Sequence, residues 1–432
     1  MPGIKHTYQA LKGYTVIENI QLLLTLMFVG TLALDQKINS TLLGISLASL
    51  LVTFRPARLL QNKTALLVFT GTFLIQALAL LYSSNMEEGK QVMERHLAMF
   101  LVPLIYLTCF DLTAVKSRLI TRFFFVSMVG ICLYLLKHSV DQLLSSGVSV
   151  HDWFVRDNLN HAFSRPIGMH ATYLSLYTAL AVFIGFHGFL FDNSWWLKLL
   201  FFLCTLVLAI TIILLSSRLV IAALLFVLIF IYPFYIAKLR HKAALLIAGC
   251  AIILAFFFIM RESSFITTRF TEKIRGEVKM TPFLAADSTY NPVYGGEMRA
   301  DRWYCAAELI SEKPLLGYGT GSEKDMLMQK YEKYNLQNAI VNNYDSHNQY
   351  LAFAIKAGVP GLIVFVLMVI YAAYLAVKSR NLIYLSFIVL FALACITENV
   401  LESNKGIFFF AFFNALFATK ALLQLQSPKE EP

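Results

Sequence analysis

Residues 344–365 read YDSHNQYLAFAIKAGVPGLIVF. The stretch begins with polar residues that include His347 and then becomes almost entirely apolar. About 20 apolar residues in a helix are enough to cross a bilayer, so the stretch predicts a transmembrane helix with a histidine at its mouth. The fold class then depends on whether such runs recur along the chain.

Apolar runs of this kind recur throughout the sequence. The 432 residues are 58% hydrophobic and 14% charged, and the mean hydropathy is +0.65, more than one soluble core could hide. We predict an all-α, polytopic integral membrane protein with about 12 transmembrane helices. The first run carries Glu18 and follows polar sequence, so we expect a retained span and not a cleaved signal peptide. The predicted spans are 16–34, 40–54, 64–82, 97–110, 118–136, 167–190, 196–215, 219–237, 243–260, 347–374, 382–398 and 405–424.

The formal net charge of +10 is distributed as a topology signal. A basic chain could bind nucleic acid, but Lys and Arg recur here in every second loop, as the positive-inside rule predicts for cytoplasmic loops. We therefore expect no nucleic-acid partner, cytoplasmic termini, and the polar segments 137–165 and 261–346 on the outer face. The basic positions are Arg55, Arg58, Lys63, Lys116, Arg118, Arg122, Lys238, Arg240, Lys242, Lys378 and Arg380.

The segment 261–346 divides the predicted spans unequally. We predict an N-terminal transmembrane bundle of about nine helices at 1–260, a large periplasmic loop at 261–346, and C-terminal transmembrane helices with a short cytoplasmic tail at 347–432. Neither part duplicates the other, which disfavours a carrier built from repeated halves. The length of the loop favours a small helical subdomain outside the membrane.

The outer segment contains one clear helical pattern. Residues 299–313 carry apolar side chains at helical spacing, and Pro314 ends this helix. The alternating glycines of the following PLLGYGTGS could form a nucleotide-binding loop or a flexible turn into a helix capped by Ser322. We favour the turn, because no strand precedes the glycines and no βαβ unit surrounds them. The apolar positions of the helix predicted over residues 299–313 are Trp303, Ala306, Ala307 and Ile310.

Several polar residues lie where a membrane makes them costly. Residues 208–226, LAITIILLSSRLVIAALLF, set Arg218 between two apolar runs with no room for a loop, and an arginine at that depth is a functional candidate. The alternative is a tight hairpin turn from which Arg218 reaches the headgroups. Arg165 lies at the mouth of the sixth span, and His170 lies one turn inside it. A hydrogen-bonded core histidine is the alternative interpretation of His170.

Residues 395–406, CITENVLESNKG, add two acids at the outer end of the eleventh span. These acids, Glu398 and Glu402, share one face if that helix continues through them. The alternative is that both lie in an ordinary solvated loop. A basic cluster with a histidine and carboxylates at headgroup depth suits a lipid-linked phosphate substrate, since arginine binds phosphate oxygens bidentately. The candidates on or near the outer face are Arg165, His170, Arg218, Arg299, His347, Glu398 and Glu402.

His347 is the candidate general base. We expect it in the first turn of a helix, after Asp345 and Ser346 as possible caps. The positive end of the helix dipole disfavours a protonated imidazole, so a neutral imidazole there can accept a proton. The same helix end favours a nearby anion. The alternative is a structural histidine that bonds loop carbonyls.

Four sequence patterns together resemble the signature region of the O-antigen ligase and polymerase superfamily. They are R-x-x-x-W at 299–303, AAELISEKPLLGYGTGS, DSHNQYL and AGVPGLIVF. SSRLVIAALL at 216–225 also resembles the intramembrane serine–arginine element of that family. The resemblance covers residues 160–415 and is specific over 299–361.

The resemblance implies a GT-C-like, inverting glycosyltransferase of the bacterial inner membrane, with its active site facing the periplasm. It would transfer a glycan from undecaprenyl pyrophosphate to the lipid A-core oligosaccharide, among membrane lipids. The functional arginines of the family correspond to Arg218 and Arg299, and its functional histidine to His347; we assign these three as catalytic. We assign substrate binding to Arg165, His170, Arg302 and Glu398, the last without support from the motif.

The mechanism that we expect uses neither a cofactor nor a metal. Arg218 and Arg299 hold the pyrophosphate and stabilise its leaving charge, while His347 takes the proton of the acceptor hydroxyl. The outer segments contain no D-x-D pair to hold a metal on the diphosphate. A polymerase or a protein O-oligosaccharyltransferase of the same superfamily would share this donor. A lipid-linked oligosaccharide flippase would instead place ionisable residues through the membrane midplane.

Overall fold

The helices form largely where the apolar runs predict them. The computed structural model describes residues 13–149, 158–236 and 299–426, and every regular element in these ranges is helical, which confirms the all-α prediction. Two 3₁₀ turns, Arg165–Ile167 and Val400–Glu402, lie between longer helices. The helices are α1 (Val16–Thr31), α2 (Gln36–Leu51), α3 (Pro56–Gln61), α4 (Lys63–Leu80), α5 (Met86–Cys109), α6 (Ala114–Ser146), α7 (His161–Ser164), α8 (Ala171–Phe191), α9 (Trp195–Leu215), α10 (Arg218–Phe226), α11 (Tyr232–Ile236), α12 (Arg299–Glu312), α13 (Glu323–Lys333), α14 (Gln337–Asn342), α15 (Gln349–Lys378), α16 (Leu382–Ala394) and α17 (Asn404–Gln426).

Within these ranges, eight helices are long and apolar enough to cross a membrane. They are α4, α5, α6, α8, α9, α15, α17 and the stretch Arg218–Tyr235, in which a π-helical turn joins α10 to α11. Two shorter apolar helices, α1 and α16, accompany them. The chain is therefore a polytopic membrane protein. The total of about 12 spans stays a prediction, because the predicted span 243–260 lies outside the described residues.

Two helices extend well beyond the apolar runs that predicted them. α5 begins at Met86, ahead of the predicted span 97–110, because the side chain of Asn85 caps its first turn by accepting the Glu88 N–H. α6 continues to Ser146, so the outer segment predicted from residue 137 begins as a helix. Hydropathy marks the part of a helix that lies in lipid, whereas the hydrogen-bonded helix continues into water.

The predicted span 347–374 is interrupted. Gly358 has a φ of 65° and a ψ of −169°, which breaks the helical path of α15 shortly after Lys356. A Cβ on Gly358 would lie 2.5 Å from the carbonyl carbon and oxygen of Leu315, so only glycine fits this backbone contact. The N–H of Val359 instead donates to the carbonyl of Pro314 at 2.7 Å. The break therefore ties the outer segment to the bundle.

The alternating glycines form a packed turn against two helices. The N–H groups of Tyr318 and Gly319 donate to the carbonyls of Ile355 and Lys356, at 2.8 and 2.9 Å. A Cβ on Gly321 would lie 2.3 Å from the backbone nitrogen of Gly89. The turn predicted from the sequence is confirmed, but its backbone is held by protein on both sides.

The side chain of Ser322 does not cap α13, contrary to the prediction. Its hydroxyl is 2.9 Å from the hydroxyl of Ser84 and 3.1 Å from that of Ser83, at the start of α5. The polar contacts to this neighbouring segment replace the expected bond to the α13 backbone.

A small second core lies among α12, α13 and α14. It contains Cys305, Leu309, Leu327 and Tyr331 and is joined to the bundle by Ile355 of α15. The apolar face predicted for α12 is partly wrong, since Ala307 is exposed. The buried stripe runs through Cys305, Ala306 and Leu309 instead, because α12 packs on α13 and α15 through that side.

Aromatic packing fixes α17 at the centre of the bundle. Phe412 contacts Phe28 of α1, with ring centroids 5.2 Å apart. Phe413 contacts Phe124 of α6 at 4.7 Å. Most of α17 is buried inside the protein, unlike α9, most of which lies at the surface of the bundle. Because α17 begins at Asn404, its position also holds the turn at residues 395–403.

Candidate active site

A cavity of about 350 Å³ opens at the end of the bundle where α5, α8, α15 and α17 begin. His170, His347 and Glu398 line the cavity. Glu402 lines it as well, so four of the candidates predicted on the outer face are brought together, although His170 lies far from the other three in the chain.

His347 is held by the carboxylate of Asp345. Its Nδ1 lies 2.7 Å from Oδ1 of Asp345, and its backbone N–H donates to the same oxygen at 2.8 Å. These contacts offset a φ of 45° at His347, in a left-handed region that costs a non-glycine residue about 1–2 kcal/mol. Although burial raises the pKa of Asp345, the hydrogen bonds and charge of His347 hold that pKa below its usual range. With Nδ1 donating to Asp345, Nε2 keeps the lone pair that can accept a proton.

The helix start differs from the prediction. α15 begins at Gln349, and its cap is Asn348, whose side chain accepts the N–H groups of Tyr350 and Leu351. His347 therefore precedes the helix and does not lie in its first turn. The capping amide was overlooked because Asp345 and Ser346 are equally common caps. The contact with Asp345, more than the helix dipole, orients the imidazole.

His170 lies at the rim of the cavity as the cap of α8. Its Nδ1 accepts the N–H of Thr172 at 3.3 Å, so the prediction that it lies one turn inside a span is wrong. Its ring centroid is 4.2 Å from that of His161. Although part of the ring remains exposed, desolvation by the surrounding protein, followed by the charges of His161 and His347, lowers the pKa of His170 to about 4. His170 is therefore neutral at neutral pH.

Arg299 and Glu398 form a loose ion pair beside His347. Nη2 of Arg299 lies 3.6 Å from Oε1 of Glu398, and both side chains are partly exposed. Although part of the Glu398 side chain is exposed, desolvation by the surrounding protein raises its pKa, against the charges of His347 and Arg299. Glu398 and Glu402 would share one helical face only if the helix continued through both residues. It does not, because α16 ends at Ala394, and the two acids have different partners.

Arg302 braces the segment that carries His347. Its guanidinium lies over the ring of Tyr344, 4.7 Å from the centroid, and the Tyr344 ring in turn lies 5.3 Å from that of His347. From the same helix, Nε1 of Trp303 donates to the carbonyl of Ser346 at 3.1 Å. α12 thus supports residues 344–347 from one side.

Arg218 and Arg165 lie near this end but do not line the cavity. The α9–α10 connection is a tight turn in which Ser216 has a φ of 51°, and Arg218 is the first residue of α10. This agrees with the hairpin interpretation of that segment. The N–H of Asn160 donates to the carbonyl of Leu214 at 3.0 Å, which joins the turn to the segment carrying Arg165.

A buried ion network beneath the cavity was missed by the sequence analysis. Lys356, whose side chain is 3% exposed, pairs with Oε2 of Glu323 at 3.1 Å and makes a close contact with Glu402. Oε1 of Glu323 also accepts hydrogen bonds from Ser346 Oγ at 2.8 Å and Asn399 Nδ2 at 3.2 Å. The network therefore fixes the residues next to His347 and next to Glu398. A lysine within an apolar run was the signal that could have revealed it.

The network also sets the protonation of its two acids. Burial raises the pKa of Glu323. Burial also opposes ionisation of Glu402, but the ammonium of Lys356 holds its pKa below the usual range. Among the described residues, no group of three or more His, Cys, Asp or Glu side chains is arranged to hold a metal ion. The site thus offers an oriented imidazole, carboxylates and nearby guanidinium groups.

Comparison with known families identifies the segment that contains this site. No curated protein matches the chain. Residues 202–366 match the family model described as O-Antigen ligase. The matched range includes Arg218, Arg299, Asp345 and His347. Over residues 202–366, the chain is therefore similar to the O-antigen ligase family.

Proposed function

We propose that this protein is an inner-membrane O-antigen ligase. It transfers a glycan from undecaprenyl pyrophosphate to the lipid A-core oligosaccharide on the periplasmic face of the membrane. The observation that carries the proposal is His347, oriented at 2.7 Å by Asp345 over a cavity, within a segment that matches the O-antigen ligase family. An imidazole held in one tautomer beside a cavity is suited to remove a proton from a hydroxyl group.

In the proposed reaction, Nε2 of His347 takes the proton of an acceptor hydroxyl. The acceptor oxygen attacks the anomeric carbon of the donor sugar, and the bond from that carbon to the pyrophosphate oxygen breaks. The electron pair leaves with undecaprenyl pyrophosphate. A single displacement of this kind inverts the anomeric centre. The donor is already activated, so the reaction needs neither a nucleotide nor a cofactor, and we propose that it is independent of metal ions.

Arginines supply the charge that the leaving group requires. The 3.6 Å separation of Arg299 from Glu398 is longer than a hydrogen bond, so its guanidinium can turn toward a phosphate. Arg218, with Arg165, provides a second basic position at the neighbouring turn. Arg302 and His170 would orient the sugars by holding the cavity wall and its rim. Positive groups aimed at the developing charge stabilise the transition state.

The proposed domain organisation follows from the same arrangement. Residues 1–260 form a transmembrane bundle, 261–346 form a periplasmic loop that carries Arg299, and 347–432 form the C-terminal transmembrane helices. The contacts of α12 and α13 with residues 344–348 support a role of that loop in building the site. We propose that a GT-C-like arrangement of the helices accompanies it.

The test of His347 measures transfer of an undecaprenyl-linked glycan to purified lipid A-core in nanodiscs, with EDTA present. His347→Ala should lower the rate by roughly 10²–10⁴, the usual contribution of a general base, and should leave donor binding intact. His138→Ala, on the C-terminal part of α6 and outside the residues that line the cavity, is the matched control and should keep full activity. Full activity of His347→Ala would refute the base assignment, and strict dependence on added divalent metal would refute the metal-free mechanism.

The test of the phosphate clamp uses Arg218→Lys. It keeps the charge but loses the bidentate fork, so transfer should fall substantially while the amount of protein in the membrane stays normal. Arg380→Lys, at the opposite end of the bundle, is the control. Normal turnover in Arg218→Lys and Arg218→Ala would leave this arginine with an anchoring role only.

The same assay separates the related activities. Chain growth on the lipid-linked donor, without transfer to lipid A-core, would identify a polymerase. Transfer to a serine or threonine side chain would identify a protein O-oligosaccharyltransferase. Movement of intact donor across the bilayer without any transfer would identify a flippase.

A further inference from the structure

A second cavity, of about 320 Å³, lies at the opposite end of the bundle from the candidate active site. Arg55 and Arg58 line it beside Asn62, Leu107 and Leu422. It is formed where α5 and α17 end and where α3 leads into α4. The proposed transfer reaction makes no use of these residues.

The basic side of this cavity carries more positive than negative charge. Nη2 of Arg55 pairs with Oδ2 of Asp111 at 2.8 Å, and Nη2 of Arg58 pairs with Oδ1 of the same carboxylate at 2.9 Å. One carboxylate is therefore shared by two guanidinium groups. Arg58 also donates to the carbonyl of Phe110 at 3.0 Å, and its side chain is 15% exposed, whereas that of Arg55 is 52% exposed. Arg58 is fixed in the wall, and Arg55 leaves donors free for a ligand.

The other side of the cavity is uncharged and has a polar floor and an apolar wall. Asn62 Nδ2 donates to the carbonyl of Leu107 at 2.9 Å, and Gln426 Nε2 donates to Asn62 Oδ1 at 3.3 Å, so two amides form a polar floor. Leu107 and Leu422 provide apolar wall, and Leu60 of the adjoining α3 is 77% exposed. The cavity therefore joins an anion-binding side to a surface that suits a hydrocarbon chain.

Helix length places this cavity at headgroup depth. α5 begins beside the first cavity and ends beside the second, and α17 does the same. Their 24 and 23 residues, at about 1.5 Å per residue, span roughly 35 Å. The hydrocarbon core of a bilayer is about 30 Å thick, so the two cavities face the headgroups of opposite leaflets.

We propose that this second cavity binds the phosphate headgroup of an anionic glycerophospholipid, from the leaflet opposite the candidate active site. Arg55 and Arg58 contact the phosphate, since guanidinium groups match the geometry of phosphate oxygens. An acyl chain lies along the leucine surface beside α3 and the end of α17. Basic pockets between transmembrane helices are suited to anionic lipid headgroups in this way.

The experiment uses the full chain, purified in detergent and titrated with phosphatidylglycerol or phosphatidylcholine. The midpoint of thermal unfolding, followed against lipid concentration, gives an apparent dissociation constant. Phosphatidylglycerol should raise the midpoint saturably and phosphatidylcholine should not. Arg55→Gln should weaken phosphatidylglycerol binding about five-fold, the effect expected for one basic side chain near anionic lipid. The exposed Arg55 can be replaced without disturbing the bonds that Arg58 makes to the backbone.

Lys378→Gln is the matched control, because it removes one exposed positive charge from the same end of the bundle but lies outside the cavity. It should bind phosphatidylglycerol like the wild type. Equal loss in both variants would show general charge attraction and would overturn the proposal. Displacement of the lipid by millimolar inorganic phosphate would assign the cavity to free phosphate instead, and equal binding of phosphatidylcholine would remove the role of the charge.

Discussion

Replacing Lys356 by methionine should destabilise the protein strongly. The side chain of Lys356 is 3% exposed and neutralises two acids, Glu323 at 3.1 Å and Glu402 in close contact. Methionine keeps an unbranched apolar stem of similar length and removes the charge. Breaking a buried ion pair by removing one partner costs about 3–5 kcal/mol. Since two carboxylates depend on this ammonium, we expect a loss near the upper end of that range.

The measurement is the free energy of unfolding in mixed micelles, from titration with sodium dodecyl sulfate. Lys137→Met is the control, because the Lys137–Asp141 pair has a similar separation, 2.7 Å, but its side chains are 76% and 58% exposed. Exposed pairs add little to stability, so the control should unfold like the wild type. Transfer activity of Lys356→Met should also fall, because Glu323 holds Ser346 next to His347.

The difference between Lys356→Met and the wild type should shrink as the pH falls from about 8 to about 5. Without the ammonium, the pKa of both Glu323 and Glu402 rises in the folded state. A carboxyl group with a raised folded pKa gains stability as it is protonated, so acid partly rescues the variant. A loss no larger than that of Lys137→Met, or a difference that grows in acid, would refute the role assigned to the network.

Two further predictions concern the packed glycine turn and the orientation. Gly321→Ala should destabilise the protein by about 1–3 kcal/mol, because its φ is 96° and the new Cβ would lie 2.3 Å from the Gly89 nitrogen. Gly44→Ala, a helical glycine with open space around it, should change stability by less than about 1 kcal/mol; equal effects would contradict the packed-turn account. A reporter fused near residue 280 should give a periplasmic signal and one near 240 a cytoplasmic signal. The reverse pattern would place the candidate site on the wrong side for an undecaprenyl-linked donor.

The sequence by itself determined that the chain is a helical membrane protein. Backbone groups in lipid must be satisfied within a segment, so apolar runs of spanning length have to be helices. Local chemistry also indicated His347 and Arg299, because both signals lie in adjacent residues of the sequence. His347 precedes a long apolar run, and Arg299 begins an amphipathic helix. The resemblance of residues 299–361 to the O-antigen ligase superfamily rests on the same local patterns, and the family match includes them.

The tertiary structure alone decided which charges meet. Lys356 lies in an apolar run, and its partners Glu323 and Glu402 are 33 and 46 residues away, so no local pattern predicts their contact. Glu398 and Glu402 have the spacing of a helical pair, but α16 ends at Ala394, before both residues. Glu398 pairs with Arg299, and Glu402 pairs with Lys356. Local spacing predicts which face a helix buries, whereas ion pairing depends on where the other helices end. A buried charge is tolerated only where distant segments supply its partner, and that condition is set by packing, not by neighbouring residues.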